Sequence, residues 1–162
     1  MKHSFLLLLV VLSLTSFKAT NRITAKDINV LTGGEWKGSL TYLDYSSNKK
    51  TTIPANLVVE RAAEQNTWYF KNLYPDEPKA NGIDTIRLTA GGKTLDNETV
   101  VSRKDSAGII KLITQKQLND DGIIKIFRFT YIISPNKFSI KKEERKKTEA
   151  TFFERNQYQF TR

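Results

Sequence analysis

The residues best placed by type and spacing to do chemistry are two pairs of carboxylates, Asp96 with Glu98 and Glu143 with Glu144. A glycoside hydrolase holds such a pair about 5 to 10 Å apart across a bound sugar. Spacing along a chain does not fix that distance, and among so many lysines both pairs read as surface carboxylates. Cysteine is absent, the only methionine is Met1 and the only histidine is His3. Disulfides, zinc clusters and every thiol or imidazole mechanism are thereby excluded, and no metal or cofactor is expected. Gly92-Lys93-Thr94 matches the end of a phosphate-binding loop, but Arg87 stands where that loop needs glycine and an alternating strand follows where it needs a helix. Asp120-Asp121-Gly122 runs on into Ile123-Ile124-Lys125 without the spaced oxygen ligands of a calcium loop. Both read as turns.

Residues suited to binding are more plentiful. Tyr42, Trp68, Tyr69, Phe70, Tyr74, Phe127, Phe129, Tyr131, Phe138, Phe152 and Phe153 form a large aromatic set. Arg87, Asn97 and Arg128 are polar residues within strand-like runs, and one of them facing inward would orient a ligand's carboxylate or headgroup. Lys141, Lys142, Arg145, Lys146 and Lys147 surround Glu143 and Glu144 in a run that could dock an anionic partner. Alternating charge at a hairpin also serves simply to protect a strand edge.

The elements that must position these residues follow from length and periodicity. The 162 residues, 39% hydrophobic and 27% charged, suit one compact domain. Residues 1–19 read as a signal peptide: Lys2 and His3 precede the apolar run Phe5–Leu12, which is too short to span a membrane. Cleavage is expected after Ser16 or Ala19. Its removal takes away Lys2, Lys18 and the only histidine, and lowers the net charge from +9 to +7. The Lys-, Asn- and Ile-rich composition then suggests a bacterial periplasmic or secreted protein, attracted to anionic envelope surfaces rather than to nucleic acid.

Thr24 to Leu31 reads as a short helix with Thr24 and Asp27 as a capping box and a glycine at its end. From Glu35 the period changes to two. Nine strands are expected, 35–45, 51–61, 67–74, 82–90, 94–103, 109–117, 123–134, 137–146 and 151–161, with Pro54 marking an edge or bulge in the second. Sequence-adjacent hairpins without a crossover describe an all-β, up-and-down antiparallel meander of about 8 to 10 strands over residues 20–162. Closing such a meander into a barrel removes its exposed edges.

Gly34-Glu35-Trp36, just after the short helix, matches the G-x-W motif that opens the first strand of lipocalins and related calycins. The chain therefore resembles a lipocalin-like barrel. That resemblance implies that Trp36 packs at the closed end beneath an arginine from near the C-terminus, with Arg162 favoured and Arg155 the other candidate. Guanidinium over indole is a sound plug. With Trp36 inward, Tyr42 and Leu57 line the interior, Phe127, Phe129 and Tyr131 form one face of a later strand, and Phe70 and Arg87 complete the candidate ligand site. The expected function is non-catalytic binding of a small, mainly apolar ligand. A module with a filled interior, acting through its loops or its basic hairpin on an envelope protein or anionic glycan, is the second expectation. A carboxylate deep in a pocket and reluctant to ionise would favour an enzyme instead.

Overall fold

The structure, a computed structural model, describes residues 21–162. The expected signal peptide and its cleavage sites lie outside these residues. The described chain holds one short helix, α1 (Ala25–Asn29), then β1 (Glu35–Asp44), β2 (Lys49–Pro54), β3 (Asn56–Arg61), β4 (Thr67–Leu73), β5 (Gly82–Thr89), β6 (Thr94–Leu95), β7 (Glu98–Ser106), β8 (Ile109–Asp120), β9 (Ile123–Ile133), β10 (Lys137–Lys146) and β11 (Phe153–Thr161). All pairings are antiparallel between chain neighbours, except that β1 also takes β3 and, closing the barrel, β11. Strands β2 and β3 are one bent strand broken at Ala55, directly after Pro54, so the closed up-and-down barrel has ten staves.

Ten rather than nine staves result from one additional turn. The run 94–103, expected as a single strand, is divided by Asp96 and Asn97, which take φ of 45° and 64°. Aspartate and asparagine are among the few side chains that tolerate this left-handed region. The consequence is that β6 has two residues and is the only strand linking β5 to β7.

The N-terminal segment closes one end of the barrel. Thr24 N–H donates to the Asp27 carboxylate at 2.8 Å, starting a helix shorter than the 24–31 expected. Ile23, Ile28 and Leu31 are buried in the core. A bulge between Val100 and Ser102 shifts β7 by one residue and brings Arg103 opposite the buried Leu112, where it grips Asp27 through two bonds of 3.0 and 2.8 Å. Burial pushes the Asp27 carboxyl up, but the Arg103 hydrogen bonds, the Thr24 N–H and the Arg103 charge outweigh it and hold the group below its ordinary value.

Trp36 is fully buried above this end, its indole N–H donating to Leu31 O at 2.8 Å. Arg162 lies over the ring at 4.2 Å and donates to the carbonyls of Val30, Thr32 and Pro135. Arg155, the other candidate, pairs instead with Glu144 at 2.6 Å. Phe138 meets Trp36 and Phe70 edge-on and stacks on Phe160, filling the lower barrel.

Candidate functional site

Above this packed layer the barrel encloses a cavity of about 190 Å³. Its floor is Ile28 and Leu31 from the N-terminal segment with Leu57 and Leu95 from β3 and β6; its walls include Phe70, Phe129, Phe138 and Phe160. Alternation places these side chains inward. On β9 the sequence Phe127, Phe129, Tyr131, Ile133 takes every second position and so lies on one inner face. A polar belt crosses the apolar wall, made of Asn72 on β4, Asp84 on β5, Asp96 at the β6–β7 turn, Tyr131 on β9 and Tyr158 on β11.

Four of the five belt side chains are hydrogen-bonded. Asn72 Nδ2 donates to Asp84 Oδ2 at 2.8 Å, and the Tyr158 and Tyr74 hydroxyls are 2.7 Å apart. Tyr131 donates its hydroxyl proton to Glu98 Oε2 at 2.9 Å, and Thr114 donates to the same oxygen. Glu98 is 5% exposed. Burial pushes its carboxyl up; the two hydroxyls and the Lys116 charge pull it back without cancelling that effect, and Asp96 adds to it. Burial, followed by the charge of Glu98, pushes the Tyr131 phenol well up. Burial likewise raises Tyr158, with Tyr74 adding to it.

Four of the seven residues expected to contact ligand line this cavity: Leu57, Phe70, Phe129 and Tyr131. Tyr42 faces inward but lies too high; it lines a separate open cleft of about 610 Å³ at the rim with Leu40, Tyr45, Tyr74 and Arg155. Phe127 is buried one step above Phe129, outside the cavity lining, with Lys142 Nζ 5.0 Å from its ring. Arg87 departs from expectation: the cavity-lining Ile86 occupies the adjacent inward position, so alternation turns Arg87 outward into solvent. Arg128 also faces out, bonded twice to Glu143 at 2.9 and 3.0 Å and stacked on Phe152. Asn97 is exposed in its turn.

The carboxylate pairs separate as well. Glu143 and Glu144 bond different arginines, Arg128 and Arg155, while Asp96 sits in a turn and Glu98 is buried behind Tyr131. Of the five basic residues, Lys142 is half-buried over Phe127 and Phe129, and burial followed by the charges of Arg155 and Lys116 holds its amine below the ordinary value. Lys141 pairs with Glu143 and Lys146 with Glu149; Arg145 donates to three backbone carbonyls of its own turn, and Lys147 is exposed.

Asn72, Asp84, Asp96 and Glu98 were not expected at the site. Asp84 alternates with Ile86 and Leu88 and Asn72 with Trp68 and Phe70, so strand period alone places both inward. Asp96 reaches the cavity only because of the turn. Among the described residues no group of three or more His, Cys, Asp or Glu could hold a metal ion, and no helix is long and apolar enough to cross a membrane.

No family model and no curated protein matches the sequence. Among solved structures, the crystal structure of Rv2717c from M. tuberculosis aligns with 85% of this chain and 95% of its own, at 10% identity and a TM-score of 0.49.

Proposed function

We propose that this chain is an exported, non-catalytic binding protein of the lipocalin-like kind, holding one small, mainly apolar ligand inside its barrel. The observation that carries this reading is the cavity itself. Protein interiors are packed to near-crystalline density and leave few voids larger than a water molecule, yet about 190 Å³ stays open here between aromatic walls above a sealed end. An apolar cavity of about 150 Å³ is enough to take up benzene. This one suits a molecule of roughly six to nine non-hydrogen atoms on the same scale.

The G-x-W motif at Gly34-Glu35-Trp36, with Arg162 over the indole, supports the lipocalin-like reading. The apolar run before Lys18 supports export to the periplasm or medium. Against catalysis stands the placement of Glu98, the one deeply buried carboxylate by the cavity: its bonds to Thr114 and Tyr131 keep it off the cavity surface.

Native mass spectrometry of the protein exported by a bacterial host, exposed to small alcohols, amines, acids and aromatics, tests the reading. A one-to-one adduct is expected, and Ile86→Phe, which pushes a larger side chain into the cavity, is expected to abolish it while leaving the circular dichroism unchanged. A protein that takes up none of these compounds, or binds them equally after Ile86→Phe, would overturn the reading in favour of a surface-interaction module.

A further inference from the structure

We propose that the ligand of this cavity is a small apolar amine, bound as the ammonium ion with its hydrocarbon in the aromatic floor and its charged end between Asp84 and Asp96. This rests on the cavity being the binding site. The chain carries a net charge of +9, yet both charged side chains on the cavity surface are carboxylates. Its nearest cations do not reach that surface. Lys116 and Lys142 lie 5.5 and 5.9 Å from the Phe129 ring and outside the cavity lining, while Arg87 and Arg128 point away from the barrel.

Two uncharged members of the belt add acceptors. Tyr131 spends its only proton on Glu98, so its oxygen faces the cavity as an acceptor. Asn72 commits an Nδ2 hydrogen to Asp84, which leaves its carbonyl oxygen free to accept. Asp96 forms no ion pair or side-chain hydrogen bond among the described residues. A ligand that brings donors satisfies Asp84, Asp96 and the Tyr131 oxygen together, whereas a carboxylate or phosphate would be repelled by the two acids and find donors only in the second Nδ2 hydrogen of Asn72 or the Tyr158 hydroxyl. An ammonium supplies three donors and a charge.

The two acids also mark a break in the wall. Strand β5 pairs with β6 only at Leu88 and Thr89, so Gly82–Ile86 has no strand partner on the side away from β4. Residues 116–120 of β8 likewise lack a partner on the β7 side. Asp84 stands on one edge of this interval and Asp96 on the turn below it, where water can still solvate part of a charged headgroup.

Titration calorimetry with three probes of one shape, cyclohexylammonium, cyclohexanol and cyclohexanecarboxylate, at pH 7 and low salt, tests the inference. The ammonium is expected to bind at least tenfold tighter than the alcohol, and the carboxylate more weakly than either. Nonspecific attraction to this cationic protein would give the opposite order. Asp84→Asn combined with Asp96→Asn is expected to reduce the ammonium to the affinity of the alcohol and leave the alcohol unchanged; asparagine suits the left-handed turn at position 96 as well as aspartate does. Alcohol or carboxylate binding as tightly as the ammonium, with binding still lost in Ile86→Phe, would overturn the amine while leaving the cavity reading intact. Failure of all three probes to bind would overturn both.

Discussion

Glu98 is the residue whose environment conflicts most with its ordinary chemistry. Its carboxyl is pushed up by burial, so the folded protein retains a proton that the unfolded chain has already released. Wherever the folded state binds more protons than the unfolded one, stability falls as pH rises. For Glu98 that decline begins near the ordinary glutamate value of about 4.3 and continues to its raised folded value. Glu98→Gln keeps the shape and a carbonyl to accept from Thr114 and Tyr131, but cannot ionise. Urea unfolding between pH 4 and 8 is therefore expected to show the two proteins most alike at the acid end, with the wild type losing stability relative to the variant as pH rises. All other titrating groups are shared, so the difference isolates position 98. The side chain was legible only in part, since alternation from Thr94 pairs it with Asp96 on one strand. The intervening left-handed turn at Asp96 and Asn97 instead sends one carboxylate to the cavity and the other behind Tyr131. Local sequence cannot decide between a strand and a two-residue turn of this kind, because aspartate and asparagine next to threonine and glutamate permit both.

Among the elements, the pairing of β1 with β11 makes the barrel closed rather than a curled sheet. Gly38 lies opposite Phe160 at this seam, and a β-carbon there would stand 1.9 Å from Gln159 O and 2.8 Å from the Phe160 ring. Neither the backbone carbonyl nor the ring, which is stacked on Phe138, can give way without opening the seam. Gly38→Ala is accordingly expected to cost about 3 kcal/mol, in the range of overpacked core substitutions, seen as a lower urea midpoint with an unchanged slope. The alternation of Trp36, Gly38, Leu40 and Tyr42 made β1 easy to locate, and the hairpin turns placed most of the other staves. Alternation gave the parity of Leu57, Phe70, Phe129 and Tyr131 correctly because the inward face of each of these staves is mainly apolar. It gave no height along the barrel axis, which is why Tyr42 falls in the rim cleft and Phe127 above the cavity. It also could not reveal the bulge at Val101, the device that turns Arg103 toward Asp27, since a bulge shifts parity without a required residue type.

For the whole molecule, cohesion is uneven around the wall. Strands β8, β9 and β10 form long unbroken ladders, with β8 and β9 paired from Ile110 to Asp120, whereas β5 and β7 are joined only through the two residues of β6. Local opening draws on regions with few paired backbone groups and little buried apolar surface, and here those are the edge strand β2, paired only with β1, and the interval beside Asp84 and Asp96. The second of these borders the cavity, so a weakly paired part of the wall gives a route to its interior. Amide hydrogen exchange is expected to be fast, among the strands, in β2 and in residues 82–97, and slowest in Ile110–Thr114 and the facing part of β9. A ligand that binds only the closed barrel stabilises it by mass action. A saturating cavity ligand such as cyclohexylammonium should therefore slow exchange in residues 82–97 more than at the rim loop 74–81. Slowing confined to the rim would instead mean that the ligand occupies the cleft around Tyr42 and Arg155. The peptide-resolved pattern thus distinguishes the two compartments of the barrel by which of them becomes protected.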